Sequence, residues 1–252
     1  MKAGNIYIGT SGWHYKHWKG NFYPDGVKTA DYLAYYAQYF STAEINASFY
    51  RLPLVSTVKD WVATVQPRFR FCPKISRYVT HTKKLNDPDQ TLPRFFEVFD
   101  HVTKKLGPVL LQLPPNLHFH EERVKTFFEA LVQYKGYHFA LEPRHESWMT
   151  PEAIQLLKKY KIAFVIAHSG NRFPSGEFIT AKNIYIRFHG PEGNYATSYS
   201  ASFLQQYADK IVQWQQAGHH IWVFFNNDGN GYAIRNARTL LENLKKSHHL
   251  ER

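Results

Sequence analysis

The 252-residue sequence has one cysteine and no long apolar run, and both absences narrow the class of protein. A single cysteine, Cys72, excludes an internal disulfide and a metal site built from several cysteines of one chain. No stretch is apolar over the length of a membrane span, and residues 1–13 lack the apolar centre of a signal peptide. We therefore expect a cytoplasmic protein with no membrane partner.

Acidic residues are also scarce, and the chain is basic as a result. Lys and Arg number 31 and Asp and Glu number 20, so the net charge is +11 with His neutral. Such a surplus attracts anions, including nucleic acid, phosphate esters and acidic lipid head groups, and it does not choose among them. Apolar residues make up 44% of the chain, which is enough for a folded core and excludes a disordered protein.

Eight short β-rich runs alternate along the chain with segments in which apolar residues recur at helical spacing. Eight strands, most of them followed by a helix, predict a single (β/α)8 TIM-type barrel over residues 1–252, irregular in places, with parallel strands and an outer ring of helices. The polar tail at residues 247–252 is predicted to fray. The predicted strands are 5–9, 43–47, 68–73, 108–113, 138–142, 163–167, 183–188 and 220–225.

An open, doubly wound sheet is the alternative fold for such an alternation of strands and helices. Sheets of that kind commonly carry the dinucleotide-binding fingerprint G-x-G-x-x-G after the first strand. The run GTSG at residues 9–12 lacks that spacing. We therefore favour the barrel.

Polar and charged side chains gather where the predicted strands end. In a barrel of this type the chemistry takes place at the carboxyl-terminal rim. Charges there are costly unless they pair or bind a ligand, so salt bridges Glu142–Arg144 and Arg187–Asp228 are one interpretation and a binding site is the other. The opposite strand ends, near Asn5, His138 and Asn183, carry no comparable charged set. The ligand-binding residues that we predict at the rim are Thr10, Trp13, Glu44, Asn46, Lys74, Gln112, Arg144, Arg187, Asn226, Asn227 and Asp228.

Seven motifs, in this order, resemble the YecE-like family, also called domain of unknown function 72. They are IGTSGW at residues 8–13, EINASFYRLP at 44–53, Phe71 with Lys74 and TH at 80–81, LGP at 106–108 with QLPP at 112–115, EPRHESW at 142–148, RFHG at 187–190 and FNND at 225–228. The resemblance covers nearly the whole chain and implies a TIM-type barrel, like that of sugar isomerases and apurinic endonucleases, without implying an activity. The chain departs from the family at His168, where an Asp is usual.

The cationic strand ends favour an anion site. Lys74, Arg144, Arg187 and His189 converge if the barrel closes, and guanidinium groups bind phosphate or carboxylate through paired hydrogen bonds. With Glu142 and His189 as the proton-transfer pair, we predict an enzyme of the hydrolase, lyase or isomerase class that acts on an anionic, phosphate-bearing ligand. A strand-end lysine also suits a Schiff base, although its position favours Lys74 as an anion ligand.

A divalent metal is a second ligand to consider at the rim. Glu44, Glu142, His168, His189 and Asp228 carry oxygen and nitrogen atoms that bind Mg²⁺, Mn²⁺ or Zn²⁺. None of them occurs at a short metal-binding spacing such as H-E-x-x-H, and the neighbouring cations oppose a metal. We therefore assign no metal ligand, and the metal cofactor stays an open alternative.

Nucleic acid is the third ligand class. Residues 61–86 contain no acidic residue, and cations interleaved with aromatic residues are what single strands bind. This basic window makes a non-catalytic nucleic-acid-binding protein the alternative to an enzyme. Its predicted contacts are Arg68, Arg70, Arg77, Lys83 and Lys84.

Overall fold

A computed structural model describes the backbone of residues 3–250 and the side chains of residues 3–247. In this part of the chain all eight predicted strands form, each with bounds within two residues of the prediction. The strands are β1 (Ile6–Thr10), β2 (Thr42–Ile45), β3 (Arg70–Pro73), β4 (Val109–Gln112), β5 (Phe139–Glu142), β6 (Ala163–His168), β7 (Asn183–Phe188) and β8 (His220–Phe225).

The strands run parallel and curl into a nearly closed barrel. Six of them pair in the order β1-β8-β7-β6-β5-β4, and β2 pairs with β3. Isolated parallel bridges, Phe71 with Leu106 and Lys74 with Leu110, join β3 to β4. The register places Gln112 of β4 beside Glu142 of β5. The predicted α/β barrel of the TIM type is confirmed.

A tyrosine hydroxyl bridges the seam between β1 and β2, where the described residues form no strand ladder. The strands approach closely there because Gly9 has no side chain, and a Cβ added to it would lie 1.9 Å from the Thr42 carbonyl oxygen. The Tyr36 hydroxyl accepts a hydrogen bond from the Thr10 amide at 2.9 Å and donates one to the Thr42 carbonyl at 3.0 Å. Burial raises the pKa of Tyr36, so this hydroxyl keeps its proton and replaces a missing backbone bond.

Helices cover the outside of the barrel, and the apolar stripe of Val124, Phe127, Phe128 and Leu131, at helical spacing, is fully buried. Within residues 3–250, β6 and β7 are joined by residues 169–182 without a helix, so the ring is incomplete there. The helices are α1 (Tyr32–Tyr36), α2 (Ala47–Tyr50), α3 (Val55–Thr64), α4 (Pro88–Thr91), α5 (Pro93–Phe99), α6 (Glu121–Leu131), α7 (Pro151–Lys159), α8 (Ala201–Gln216) and α9 (Tyr232–Leu250).

Single turns of 3-10 or π helix link several of these elements, at Lys16–Trp18, Thr29–Asp31, Tyr78–Thr82, Asp100–Lys105, Glu146–Met149 and Gly229–Gly231. Because α9 continues to Leu250, the tail that was predicted to fray begins as helix, and residues 251–252 lie outside the described residues. None of the helices described combines the length and the apolar character that crossing a bilayer requires.

The inside of the barrel changes from apolar to polar toward the carboxyl ends of the strands. Alternate residues of a strand face the same side, so inward positions occur every second residue. The lower, apolar layers consist of Tyr7, Cys72, Leu110, Ala140, Val165, Tyr185, Trp222 and Phe224. The polar layer above them consists of Lys74, Gln112, Glu142 and Arg187, each two residues after an apolar member.

We expect Tyr36→Phe to lower the free energy of unfolding by about 1–3 kcal/mol, because the buried Thr10 amide and Thr42 carbonyl would each lose a partner. Urea denaturation of the two proteins measures the difference. Tyr39→Phe is the matched control, since its hydroxyl bonds Tyr35 at an exposed position. We expect the control to change stability by less than about 0.5 kcal/mol. Equal losses in both variants would contradict the bridging role of Tyr36.

Candidate functional site

An open cavity of about 880 Å³ lies at the carboxyl-terminal end of the barrel, and we call it the rim cavity. Its volume is within the range of small-molecule sites. Seven of the predicted ligand-binding residues line it: Asn46, Lys74, Gln112, Arg144, Arg187, Asn226 and Asp228. The other lining residues are Tyr15, His17, Phe49, Tyr50, Arg77, His81, Tyr195 and Gly229.

Arg187 of β7 forms the floor of the rim cavity between two carboxylates. Its Nε and Nη2 donate to Oε1 and Oε2 of Glu44 at 2.8 and 2.9 Å, and its Nη1 donates to Oε2 of Glu142 at 2.5 Å. The Tyr185 hydroxyl also donates to Glu44, at 2.8 Å. Burial opposes the charge of Arg187, but the two carboxylates outweigh it and raise its pKa. The guanidinium is therefore charged and joins β2, β5 and β7 at one level.

Glu142 has both carboxylate oxygens engaged. Its Oε1 accepts hydrogen bonds from Nε and Nη2 of Arg144, both at 3.2 Å, and lies 3.5 Å from Nε2 of His189. Burial alone would raise the pKa of Glu142, but Arg187, His189 and Arg144 hold it well below its usual range. A carboxylate that is ionised and already paired with cations is a weak proton acceptor.

His189, the second residue of the predicted proton-transfer pair, is buried beside Glu142. The amide nitrogen of Asn226 faces Nδ1 of the ring at 3.1 Å, and Nε2 faces Glu142. Burial lowers the pKa of His189, and Glu142 opposes that effect without reversing it. Glu142 and His189 are thus brought together as predicted, but among the described residues neither lines the rim cavity.

Lys74 is a buried lysine whose amine faces the rim cavity. Its Nζ donates to Oε1 of Gln112 at 2.6 Å and lies 4.0 Å from the centre of the Phe49 ring. No carboxylate among residues 3–247 lies within ion-pair distance of this amine. Burial and the nearby charge of Arg187 lower its pKa to about 7, although Glu142 opposes them. Lys74 is the lining amine that can change charge near neutral pH.

Asp228 lies at the opposite wall of the rim cavity and does not pair with Arg187, contrary to one interpretation of the sequence. Its Oδ1 accepts a hydrogen bond from the indole of Trp18 at 2.8 Å, and its Oδ2 lies 2.8 Å from Nε2 of His17. Burial raises the pKa of Asp228, with Trp18 and His17 opposing. Arg187 is taken by Glu44 instead, because both residues lie on inward positions of facing strands.

The structure does not bring Thr10 or Asn227 to the rim cavity. The Thr10 hydroxyl bonds the Tyr36 hydroxyl at 2.9 Å in the seam between β1 and β2. The Asn227 amide donates to Oδ1 of Asn236 in α9 at 2.8 Å. Both side chains point outward, toward the helices, so their contacts are structural.

Trp13 lies in a second, smaller cavity of about 320 Å³ beside the rim cavity. Its ring packs edge-on against the ring of Trp61, with centroids 5.2 Å apart. Tyr15 and Asn46 line both cavities, and Glu44 lines the smaller one. Trp13 is therefore adjacent to the site without lining the main cavity.

The five candidate metal ligands are dispersed. Glu44 and Glu142 are joined through Arg187, while His168 bonds the Tyr199 hydroxyl at 3.1 Å. Among residues 3–247 no group of three His, Cys, Asp or Glu side chains is arranged to hold a metal ion. His168, which stands where the family usually has an Asp, therefore lies outside the rim cavity, on the side of the barrel that faces α8.

The predicted basic window is divided between the two ends of the barrel. Arg68 and Arg70 lie at the start of β3 and line a depression at the amino-terminal end. Arg77 follows β3 and lines the rim cavity at the other end. Lys83 forms an ion pair with the carboxylate of Asp87 at 2.9 Å, and Lys84 is the next residue after Lys83 in the chain. The five residues do not share one face.

Two of the groups that contribute to the site, Tyr185 and His81, were given no catalytic or ligand-binding role from the sequence, although His81 stands in one of the seven motifs. Tyr185 was assigned no role, although its place two residues before Arg187 puts it on the inward side of β7. His81 lies in the π turn Tyr78–Thr82, which no periodic pattern marks. Arg77, predicted as a nucleic-acid contact, lines the same cavity as His81.

A model of the family described as Protein of unknown function DUF72 matches residues 7–252. The chain belongs to the DUF72 family. This confirms the resemblance that the seven motifs carry. The chain is also 26% identical to the UPF0759 protein YunF of Bacillus subtilis (strain 168), over 95% of this chain and 94% of that protein.

Two solved structures of DUF72 proteins have the same fold. The protein from Thermotoga maritima is 28% identical and superposes with a TM-score of 0.86, over 96% of this chain and 99% of that one. The protein from Enterococcus faecalis V583 is 20% identical, with a TM-score of 0.81 over 95% of each chain, and its likeness shows the fold alone.

We expect Glu142→Gln to lower the free energy of unfolding by about 3–5 kcal/mol, because it leaves part of the buried charge of Arg187 unpaired. Chemical denaturation measures the change. Because the pKa of Glu142 is lower in the folded chain than in the unfolded one, its contribution is present above about pH 4.3 and is lost as the pH falls further. The difference between wild type and variant should shrink in acid.

Glu177→Gln is the matched control for this prediction. It breaks a pair with Lys210 at 2.6 Å in which both side chains are 42% exposed. Exposed pairs contribute about 0–1 kcal/mol. A loss in Glu142→Gln no larger than in Glu177→Gln would show that the buried pair does not hold the rim together.

Proposed function

We propose that this chain is a single-domain enzyme of the hydrolase, lyase or isomerase class that acts on a small anionic, phosphate-bearing molecule in the rim cavity. One observation carries the proposal. Lys74, Arg77 and Arg144 line the same cavity, while Arg187 occupies the carboxylates of Glu44 and Glu142 beneath it. Cations without enough carboxylate partners in a concave site are what an anionic ligand requires.

The pKa of His81 reflects the same excess of positive charge. Burial, followed by the charges of Lys74, Arg144 and Arg77, lowers the pKa of His81 to about 4. These three of the cations that line the cavity therefore act together on one ring. A bound anion would offset them and make protonation of His81 easier.

The guanidinium groups supply the geometry for holding the anion. Arg144 is oriented by Glu142 on one side and by the Phe173 ring on the other, 4.3 Å from its guanidinium carbon. Arg77 is exposed and has no ion-pair partner among residues 3–247. A fixed guanidinium beside a free one suits a phosphate, whose oxygens accept hydrogen bonds on several sides.

Glu142 and His189 have a positioning role in this proposal. Their burial and their mutual contact support holding Arg187, Arg144 and Asn226 in place, since each of these three touches one of the pair. Proton transfer to a ligand then falls to groups that line the cavity. Lys74, which titrates near neutral pH, is the first of these.

We expect Arg77→Gln to weaken binding of inorganic phosphate roughly tenfold, because it removes a charged hydrogen-bond donor from the rim cavity. Isothermal titration calorimetry measures the change. Arg68→Gln is the matched control, as an exposed arginine of the same basic window at the other end of the barrel, and it should leave the affinity unchanged. Equal effects of the two changes, or no phosphate binding by the wild type, would contradict the proposal.

The same pair of variants tests the nucleic-acid alternative. A polynucleotide bound along the predicted window would lose affinity in both variants, and its binding would weaken steeply with added salt. Binding of single-stranded DNA that is reduced alike by Arg68→Gln and Arg77→Gln would favour that alternative over a small-molecule site.

We expect affinity for sulfate to fall as the pH rises through about 7, because Lys74 is charged below its pKa and neutral above it. Sulfate is chosen because its own charge is constant in this range. We also expect sulfate to raise the pKa of His81 from about 4, as followed by the ring resonances in an NMR titration. Constant affinity between about pH 6 and pH 8 would contradict the role of Lys74.

A further inference from the structure

We infer that Lys74 is a nucleophile that forms a Schiff base with an aldehyde or ketone bearing an anionic group, bound in the rim cavity. This rests on the proposed function and names the substrate class: phosphorylated aldehydes and ketones. The anionic group would occupy the arginines, and the carbonyl carbon would face the amine.

The position of Lys74 supports the inference first. The residue directly follows β3, on the inward side of the barrel, and is 8% exposed with its amine at the cavity wall. The strands on either side fix the backbone at this point, since the Lys74 amide donates to the Ile45 carbonyl and Lys74 bridges to Leu110. A nucleophile held on rigid strands meets a ligand in one orientation.

The partners of the amine support it second. Arg187 binds two carboxylates. The Lys74 amine instead has a neutral partner, the amide oxygen of Gln112 at 2.6 Å. The Gln112 amide is oriented by donation from its nitrogen to the Leu113 carbonyl at 3.4 Å. An amide accepts a hydrogen bond from either form of the amine and does not hold the proton on it as a carboxylate does.

Burial and the net effect of the neighbouring charges also favour the neutral amine. Arg187 and Arg144 lower the pKa of Lys74, and Glu142 and Glu44 raise it. With burial as the largest influence, the pKa falls to about 7. A substantial fraction of the molecules then carries a neutral amine at pH 7, against roughly one in 2,500 for a lysine of ordinary pKa. A neutral, partly desolvated amine is the reactive form in Schiff-base enzymes.

The reaction balances without any further reactant. The lone pair of the neutral amine forms a bond to the carbonyl carbon as the carbonyl π pair moves to oxygen, and one amine proton is transferred to that oxygen. The hydroxyl oxygen of the resulting carbinolamine takes up one further proton, which the solvent supplies, and water leaves, so that a protonated C=N bond remains. The iminium carries the one positive charge that the ammonium form carries, so Glu44 and Glu142 below stabilise both.

His81 is placed to transfer these protons. It lines the same cavity, and its ring packs edge-on against the Phe49 ring that the Lys74 amine also contacts, at 5.0 Å between centroids. Burial and the cations lower its pKa to about 4, so the ring is neutral at pH 7 in the empty cavity. The anionic group of a bound ligand would offset those cations and make it easier for His81 to accept a proton.

The experiment is reductive trapping on the full chain. The protein is incubated with dihydroxyacetone phosphate at neutral pH, reduced with sodium borohydride and analysed by mass spectrometry after digestion. We expect a mass gain equal to the probe less one oxygen atom, located on Lys74. Labelling of Lys74 should be on the order of a hundredfold faster than labelling of the exposed Lys59, and faster with this probe than with uncharged dihydroxyacetone.

Three variants complete the test. Lys74→Met and Lys74→Arg should both abolish the specific label, and Lys74→Arg keeps the positive charge. Gln112→Glu gives the amine a carboxylate partner, so it should slow trapping about tenfold or more at neutral pH, with recovery at higher pH. Gln90→Glu, at an exposed position, is its matched control and should trap at the wild-type rate.

The outcomes separate the inference from the proposed function. The Schiff-base proposal would be overturned if lysines were labelled in proportion to their exposure and if the labelling were undiminished in Lys74→Met or in Gln112→Glu. If inorganic phosphate still binds in an Arg77-dependent manner while Lys74 is never trapped, the result supports the anion site and contradicts the nucleophilic role of Lys74. If neither phosphate binding nor trapping occurs, both fail.

Discussion

The buried charge of Arg187 is the constraint on which the rest of the rim depends. A guanidinium inside a protein is stable only when carboxylates surround it, and here Glu44 and Glu142 come from strands on different sides of the barrel. Holding it therefore fixes the relative positions of β2, β5 and β7. It also consumes the acidic groups of the floor, so that Lys74 above them is left with a neutral amide. The cationic character of the rim cavity follows from this one arrangement.

The apolar interior beneath this layer determines how strongly the charges act. Buried apolar and aromatic side chains such as Tyr185, Trp222 and Phe224 occupy the barrel below the polar layer, which faces the rim cavity on its other side. Burial therefore enters as the largest influence on Lys74 and His189, and it favours the neutral form of both. Charges in the cavity that would be screened in water remain effective there.

Much of this arrangement follows from the sequence, because the alternation of strands fixes which residues face inward. Lys74, Gln112, Glu142 and Arg187 each stand two residues after an apolar inward position, and all four were predicted at the rim. The same two-residue alternation explains why two of the predicted residues point away from the rim cavity. Ser11 and Asn226 continue the inward positions of β1 and β8, whereas Thr10 and Asn227 are one residue out of phase and face the helices. The partner of Arg187 was not predictable, since pairing across the barrel depends on the level at which each strand ends.

The division of labour between arginine and lysine in the rim cavity is itself informative. In the proposed function, anion binding needs a charge that persists at every working pH, and Arg77 and Arg144 carry guanidinium groups, which do not lose their proton in proteins. Nucleophilic attack needs a group that can be neutral, and Lys74 alone among these three cations meets that need. Had the site served only to hold an anion, a third guanidinium paired with a carboxylate would do so more firmly than a buried amine against a glutamine. The choice of lysine at this strand end, with Gln112 rather than an acid beside it, is therefore explained by chemistry at the amine and not by charge alone.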